Sequence, residues 1–171
     1  CRLTDLYNAG ELPLRVTHND TKINNVLFDE ETRKALVVID LDTVMPSFIF
    51  SDYGDFLRSG ANTGLEDDKN PDNVNFNMEI FRAFTKGYLE SGKSFLLPIE
   101  IENLPYAAAL FPYMQCVRFL ADYINGDTYY KIKYLRSWCT SDRISLCFSQ
   151  YLRSKRNITI STNQIKIVIS T

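Results

Sequence analysis

A mainly α chain carrying a small β hairpin, α+β in class and folded as one domain over residues 1–171, is what the sequence predicts. Three observations predict it. Two short runs, Val26-Leu-Phe28 and Leu36-Val-Val-Ile39, flank the charged turn Asp29-Glu-Glu-Thr-Arg-Lys34, which is the pattern of a hairpin. Apolar residues recur at helical spacing from Asn77 to Ser91, and the stretch from Ile99 to Ile124 is longer and mostly apolar. The 171 residues, 45% hydrophobic and 13% aromatic, suffice for one sizeable core.

Taken in order, Arg2-Leu-Thr-Asp-Leu-Tyr-Asn8 reads as a helix end, closed where Gly10 can adopt the left-handed cap conformation. Leu14-Arg-Val-Thr17 is a short extended piece, and the hairpin that follows should bring Asn25 and Asp40 near one another. Pro46 should break the chain. Ser51-Asp52 should then cap a helix running from Tyr53 to about Ser59. Residues 60–75 are rich in turn formers, and Glu66-Asp67-Asp68 within them reads as a solvated loop. Ile80, Phe81, Phe84, Tyr88 and Leu89 mark the apolar face of the next helix, which stops at Gly92. Pro105 and Pro112 should divide the 99–124 stretch into two or three helical pieces, because each removes a helix hydrogen bond. Gly126-Asp-Thr-Tyr-Tyr130 should turn the chain, residues 135–156 show no clean period and read as an insertion, and Ile165-Lys-Ile-Val-Ile169 closes the sequence.

The chemistry-bearing residues gather between positions 18 and 42. His18, Asp20 and Asn25 stand in the spacing His-x-Asp-x-x-x-x-Asn, and Asp40 ends the apolar run of the hairpin. Phosphoryl transfer requires a carboxylate to take the acceptor's hydroxyl proton and oxygen ligands to hold Mg²⁺ against nucleotide phosphates. Asp20 suits the first role, and Asn25 and Asp40 suit the second. Lys22, two residues beyond Asp20, is placed to neutralise charge on the moving phosphoryl group. His18 reads as structural, its imidazole bonding backbone carbonyls. Asp42 is either a second metal contact or a loop cap. Asp55 should bond backbone amides beneath the loop, and Arg58 reads as a solvated helix residue.

These motifs, with Ile39-Asp40-Leu-Asp42-Thr-Val-Met-Pro46, Tyr53-Gly-Asp55-x-x-Arg58 and Arg118-Phe-Leu-Ala-Asp-Tyr through Gly126-Asp-Thr-Tyr-Tyr130, resemble the aminoglycoside phosphotransferase and choline kinase family. Within it they look most like the N-acetylhexosamine 1-kinases, over roughly residues 1–134. The resemblance implies a protein-kinase-like C-terminal lobe in which the hairpin carries the catalytic loop. It implies ATP as co-substrate, Mg²⁺ as cofactor and a sugar as acceptor. It also implies a substrate role for Arg118, on a helix whose buried stripe would be Val117, Leu120, Ala121 and Ile124. No Gly-rich phosphate loop or strand lysine precedes His18, so the N-terminal lobe is expected to be missing and residues 1–171 alone to be inactive. Choline, homoserine or an aminoglycoside stay open as acceptors, as does a non-catalytic truncated remnant.

Composition argues against other partners. A net charge of −2 and a pI near 5.4 provide no basic field for nucleic acid or an anionic membrane. The four cysteines, Cys1, Cys116, Cys139 and Cys147, form no Cys-x-x-Cys pair and have only one histidine to accompany them, so reduced thiols in a cytoplasm are expected.

Overall fold

The computed structural model describes residues 2–64, 75–126 and 128–129, together with the backbone of 158–161 and 164–167. Among the described residues, four helices and three two-stranded antiparallel sheets make up an α+β fold. The order is α1 (Arg2–Asn8), β1 (Arg15–Thr17), β2 (Val26–Phe28), β3 (Ala35–Val38), β4 (Met45–Ser47), α2 (Phe50–Gly60), α3 (Met78–Gly92), α4 (Pro98–Ile124), β5 (Ile158–Ser161) and β6 (Gln164–Ile167). Strand β1 pairs with β4, β2 with β3, and β5 with β6. Residues 135–156 and Glu66-Asp67-Asp68, read from sequence as an insertion and a solvated loop, lie outside the described residues.

The core forms where α2 packs on α4 and α3. Tyr53, Leu57, Phe81, Leu104 and Ala107 are fully buried there. Gly54 allows the close crossing, since a methyl group at that position would run into the Phe111 ring and the Ala107 carbonyl oxygen. Burial raises the ionisation range of the Tyr53 phenol, and its hydroxyl shares a 2.8 Å hydrogen bond with the buried Thr85 hydroxyl. Thr85 therefore belongs to the inner face of α3, whereas Ile80, expected there, is exposed. Asn77 caps α3, accepting from the amides of Glu79 and Ile80.

Three expectations give way to packing. Pro46 does not break the chain but sits in β4 opposite Val16, tolerated because a two-stranded ladder consists only of edge strands. Ser51 and Asp52 lie inside the first turn of α2 and not before it, since the helix begins at Phe50 after an Ile49 cap without a side-chain bond. Pro105 and Pro112 leave α4 as one helix of 27 residues. Each proline forfeits one backbone bond, but Pro112 is fully buried, and the inward residues Leu104, Ala107 and Ala108 hold the helix to the core on both sides of Pro105.

One buried ion pair ties β1 to the start of α4. Arg15 donates from Nε and Nη2 to the two carboxylate oxygens of Glu100, each at 2.8 Å, and from Nη2 to the Phe95 carbonyl oxygen. The hydrogen bonds to Glu100 hold the Arg15 guanidinium more firmly protonated than usual. Glu100 also accepts from the Leu97 amide at 2.8 Å, closing the first turn of α4. Removing a buried partner strands both the guanidinium and that amide. Glu100→Ala is therefore expected to lower the unfolding free energy by about 3 kcal/mol, read from the midpoint of chemical denaturation, and a loss below ~1 kcal/mol would mean that the pair is no anchor.

The β2–β3 hairpin stands apart from this core. Val26 is registered with Val38 and Leu27 with Val37, while all four residues of β3 are exposed. Gly10 and Gly126 both take positive φ, at 76° and 88°, as the turns after α1 and α4 require. Asp122 receives the amides of Thr128 and Tyr129 beyond the second of these turns.

Candidate functional site

Residues 18–25 form a loop between β1 and β2 that ends in a short 3₁₀ turn at Ile23–Asn25. A second 3₁₀ turn, Leu41–Thr43, links β3 to β4. Since β1 pairs with β4 and β2 with β3, the two turns are held side by side. The Ile39 amide donates to the Asn25 carbonyl oxygen at 2.9 Å, so the hairpin ladder continues one step past its named strands and Asp40 follows directly.

Within the first loop, the Asn25 amide nitrogen donates to the Asp20 carbonyl oxygen at 2.8 Å and to Asp20 Oδ2 at 3.0 Å. Both partners are pure acceptors, which sets the orientation of the Asn25 amide and leaves its side-chain oxygen without a hydrogen bond among the described residues. Asn25 is buried and Asp20 partly exposed, so the carboxylate is supported from within and open on its outer side. Lys22 Nζ lies 3.4 Å from Asp20 Oδ2, where it is paired with the carboxylate itself.

His18 bridges the two turns. Its Nε2 donates to the Ile39 carbonyl oxygen at 2.9 Å, and its Nδ1 accepts from the Asp20 amide at 3.3 Å. A carbonyl can only accept, so the proton sits on Nε2 and both ring nitrogens are occupied in holding backbone.

Asp40 takes a left-handed conformation at φ 64°, and both Asp40 and Asp42 are exposed. Neither carboxylate has a hydrogen bond or ion pair among the described residues. The Asp42 carboxylate caps no amide among the described residues. No group of three or more His, Cys, Asp or Glu side chains is gathered as a metal cage among the described residues.

The acid beneath the loop is not the one expected. Asp52, in the first turn of α2, accepts from the amides of His18 at 3.0 Å and Asn19 at 2.8 Å, and its carbonyl oxygen accepts from the Thr21 hydroxyl at 2.7 Å. Asp55 is buried one turn further along and pairs with Arg58 at 3.0 Å. Arg58 is accordingly a half-buried partner and not a solvated residue. Ser-Asp before a helix had suggested Asp52 as a cap; that an acid so placed can turn outward to foreign amides was the available signal.

Arg118 lies on α4. Its expected stripe is inverted: Cys116, Phe119 and Asp122 are buried, while Val117, Leu120 and Ile124 are 46%, 43% and 72% exposed. Arg118 is exposed with them and has no hydrogen bond or ion pair among the described residues. Hydrogen bonds and an ion pair tie His18, Asp20, Lys22, Asn25 and Asp52 into one loop and join that loop to the Asp40–Thr43 turn, and Arg118 makes no hydrogen bond or ion pair with them.

No helix among the described residues is long and apolar enough to cross a membrane. A family model described as Phosphotransferase enzyme family (APH) matches residues 2–89, which spans α1 through α3 and every one of the gathered residues. By that match over half of its length, the chain belongs to the APH phosphotransferase enzyme family, of the aminoglycoside phosphotransferase and choline kinase type.

Proposed function

We propose that residues 17–43 are the catalytic and metal-binding segment of a protein-kinase-like lobe, and that the enzyme transfers the γ-phosphate of ATP to the anomeric hydroxyl of an N-acetylhexosamine. The observation that carries the reading is the contrast between neighbouring carboxylates. Asp20 is oriented by Asn25, whereas Asp40 and Asp42, one strand away, have no partner among the described residues.

The donors fit Mg²⁺ in kind. Magnesium held with a nucleotide takes one or two carboxylates and draws its other ligands from phosphate and water. Asp40, Asp42 and the Asn25 side-chain oxygen are hard oxygen donors of that number, and a cage of three acids is not needed. Bound there, the ion neutralises phosphate charge and lines up the transferred group.

The chain's own residues do the rest. Asp20, with one oxygen tied to Asn25, keeps its carboxylate aimed outward to accept the proton of the sugar hydroxyl. Lys22 holds positive charge beside that carboxylate, within reach of a phosphoryl group arriving at Asp20. His18 and Asp52 hold the backbone of the loop and make no contact with reacting atoms. The acceptor rests on the resemblance of the motifs to the sugar 1-kinases. Coupled assays on the protein expressed from its full reading frame, with N-acetylglucosamine, N-acetylgalactosamine, choline, homoserine and kanamycin in parallel, test it. Turnover of the amino sugars is expected, and preference for choline or kanamycin would overturn the acceptor.

Arg118 supplies a further test. Its exposed guanidinium, free of partners among the described residues, can donate paired hydrogen bonds to a sugar hydroxyl and an N-acetyl carbonyl. Arg118→Ala is expected to lower kcat/KM for N-acetylglucosamine by about tenfold, ~1.4 kcal/mol, with Mg-ATP affinity nearly unchanged. Wild-type kinetics would remove Arg118 from the substrate site.

A further inference from the structure

Asn19, immediately before Asp20, is one of three non-glycine residues with positive φ among the described residues, at 66°. Asparagine enters that region at little cost, so the backbone alone would explain the residue. Its side chain does more. Nδ2 donates to the Thr43 carbonyl oxygen at 3.1 Å and to the Thr17 carbonyl oxygen at 3.3 Å. Oδ1 lies 3.0 Å from the Thr17 hydroxyl, whose single proton can go there or to the Met45 carbonyl oxygen at 3.1 Å. In return the Thr43 hydroxyl donates to the His18 carbonyl oxygen at 2.6 Å.

The two residues therefore form a reciprocal clasp, Asn19 to the backbone of Thr43 and Thr43 to the backbone next to Asn19. Its placement is specific. Asn19 adjoins Asp20, and Thr43 adjoins Asp42 and ends the turn that Asp40 opens. Asp52 fixes the Asn19 amide from below through a separate bond, so the side chain is not needed to anchor the loop to α2. The clasp instead spans the two turns that carry the proton acceptor and the metal ligands.

We propose that Asn19 is a positioning residue that locks the Asp20 loop to the Asp40–Thr43 turn, so that proton acceptor and metal ligands keep one spacing. The inference rests on the roles given above to Asp20 and Asp40. Groups that hold metal-bearing segments in place typically matter about 10–100-fold to metal affinity or activity, and small displacements of reacting groups have comparable cost.

Asn19→Gly isolates the clasp, because glycine keeps the positive φ and the amide bond to Asp52 while losing every side-chain bond. In the protein expressed from its full reading frame, kcat is expected to fall about tenfold. The Mg²⁺ concentration for half-maximal velocity should rise by about the same factor, with sugar KM and melting temperature little changed. Thr43→Val, which deletes the returning bond at constant shape, should move the same two quantities in the same direction and covers the case in which the glycine variant fails to fold. Asp20→Asn and Asp40→Ala serve as controls. If those two retain turnover, the proposed function is wrong. If they are inactive while Asn19→Gly and Thr43→Val keep wild-type kcat and Mg²⁺ dependence, the clasp alone is overturned. A fall in kcat with unaltered Mg²⁺ dependence in both variants overturns it too, since the metal side would then be independent of Asn19.

Discussion

Asp40→Ala, in the protein expressed from its full reading frame, is expected to reduce Mg²⁺-dependent turnover by roughly 10³-fold or more. Asp40 opens the turn after β3 with an exposed carboxylate that no described residue occupies. A hard divalent cation gains most from such a charged oxygen, and a nucleotide-bound magnesium has few protein ligands over which to spread the loss. Asn25→Ala removes only a neutral oxygen, although it also frees Asp20, so a milder fall is expected with part of it in the proton-transfer step. Velocities measured across a Mg²⁺ titration separate the two, because loss of a ligand is partly repaired by high metal and loss of orientation is not. Full activity of Asp40→Ala at low Mg²⁺ would refute the assignment.

Asp20→Asn should lower kcat by about 10²–10⁴-fold, the usual worth of a positioned general base. The amide can still accept from Asn25 Nδ2 and so preserve the local fold, which makes the substitution a chemical test more than a structural one. The KM values for nucleotide and sugar should move less than kcat. A purified variant that keeps most of its kcat would show that the proton leaves by another route, and the role of Lys22 beside the same carboxylate would fall with it.

Much of this arrangement was legible in the residues. The hairpin followed from two short apolar runs and a charged turn, and β3 is displaced by a single residue from its expected start at Leu36. Gly10 as a left-handed stop follows from backbone chemistry that acts within a few residues. The hairpin was expected to bring Asn25 and Asp40 near one another, and the register carries Asn25 opposite Ile39 beside Asp40.

Sequence by itself determined the class of fold and the hairpin, because turn preferences and periodicity are local properties of the chain. Only tertiary structure decided which partners those residues meet. Asp52 and Asp55 stand one turn apart on α2, and the direction in which the helix presents each one chose Asp52 for the loop amides and Asp55 for Arg58. The buried face of α4 was likewise settled by packing, with Cys116, Phe119 and Asp122 inward and Arg118 left outside. Two prolines failed to divide α4 because the burial of an apolar face over 27 residues outweighs two missing backbone bonds. The clasp between Asn19 and Thr43 joins residues 24 positions apart, a pairing set by the register of β1 on β4 and carried by no local signal in either segment.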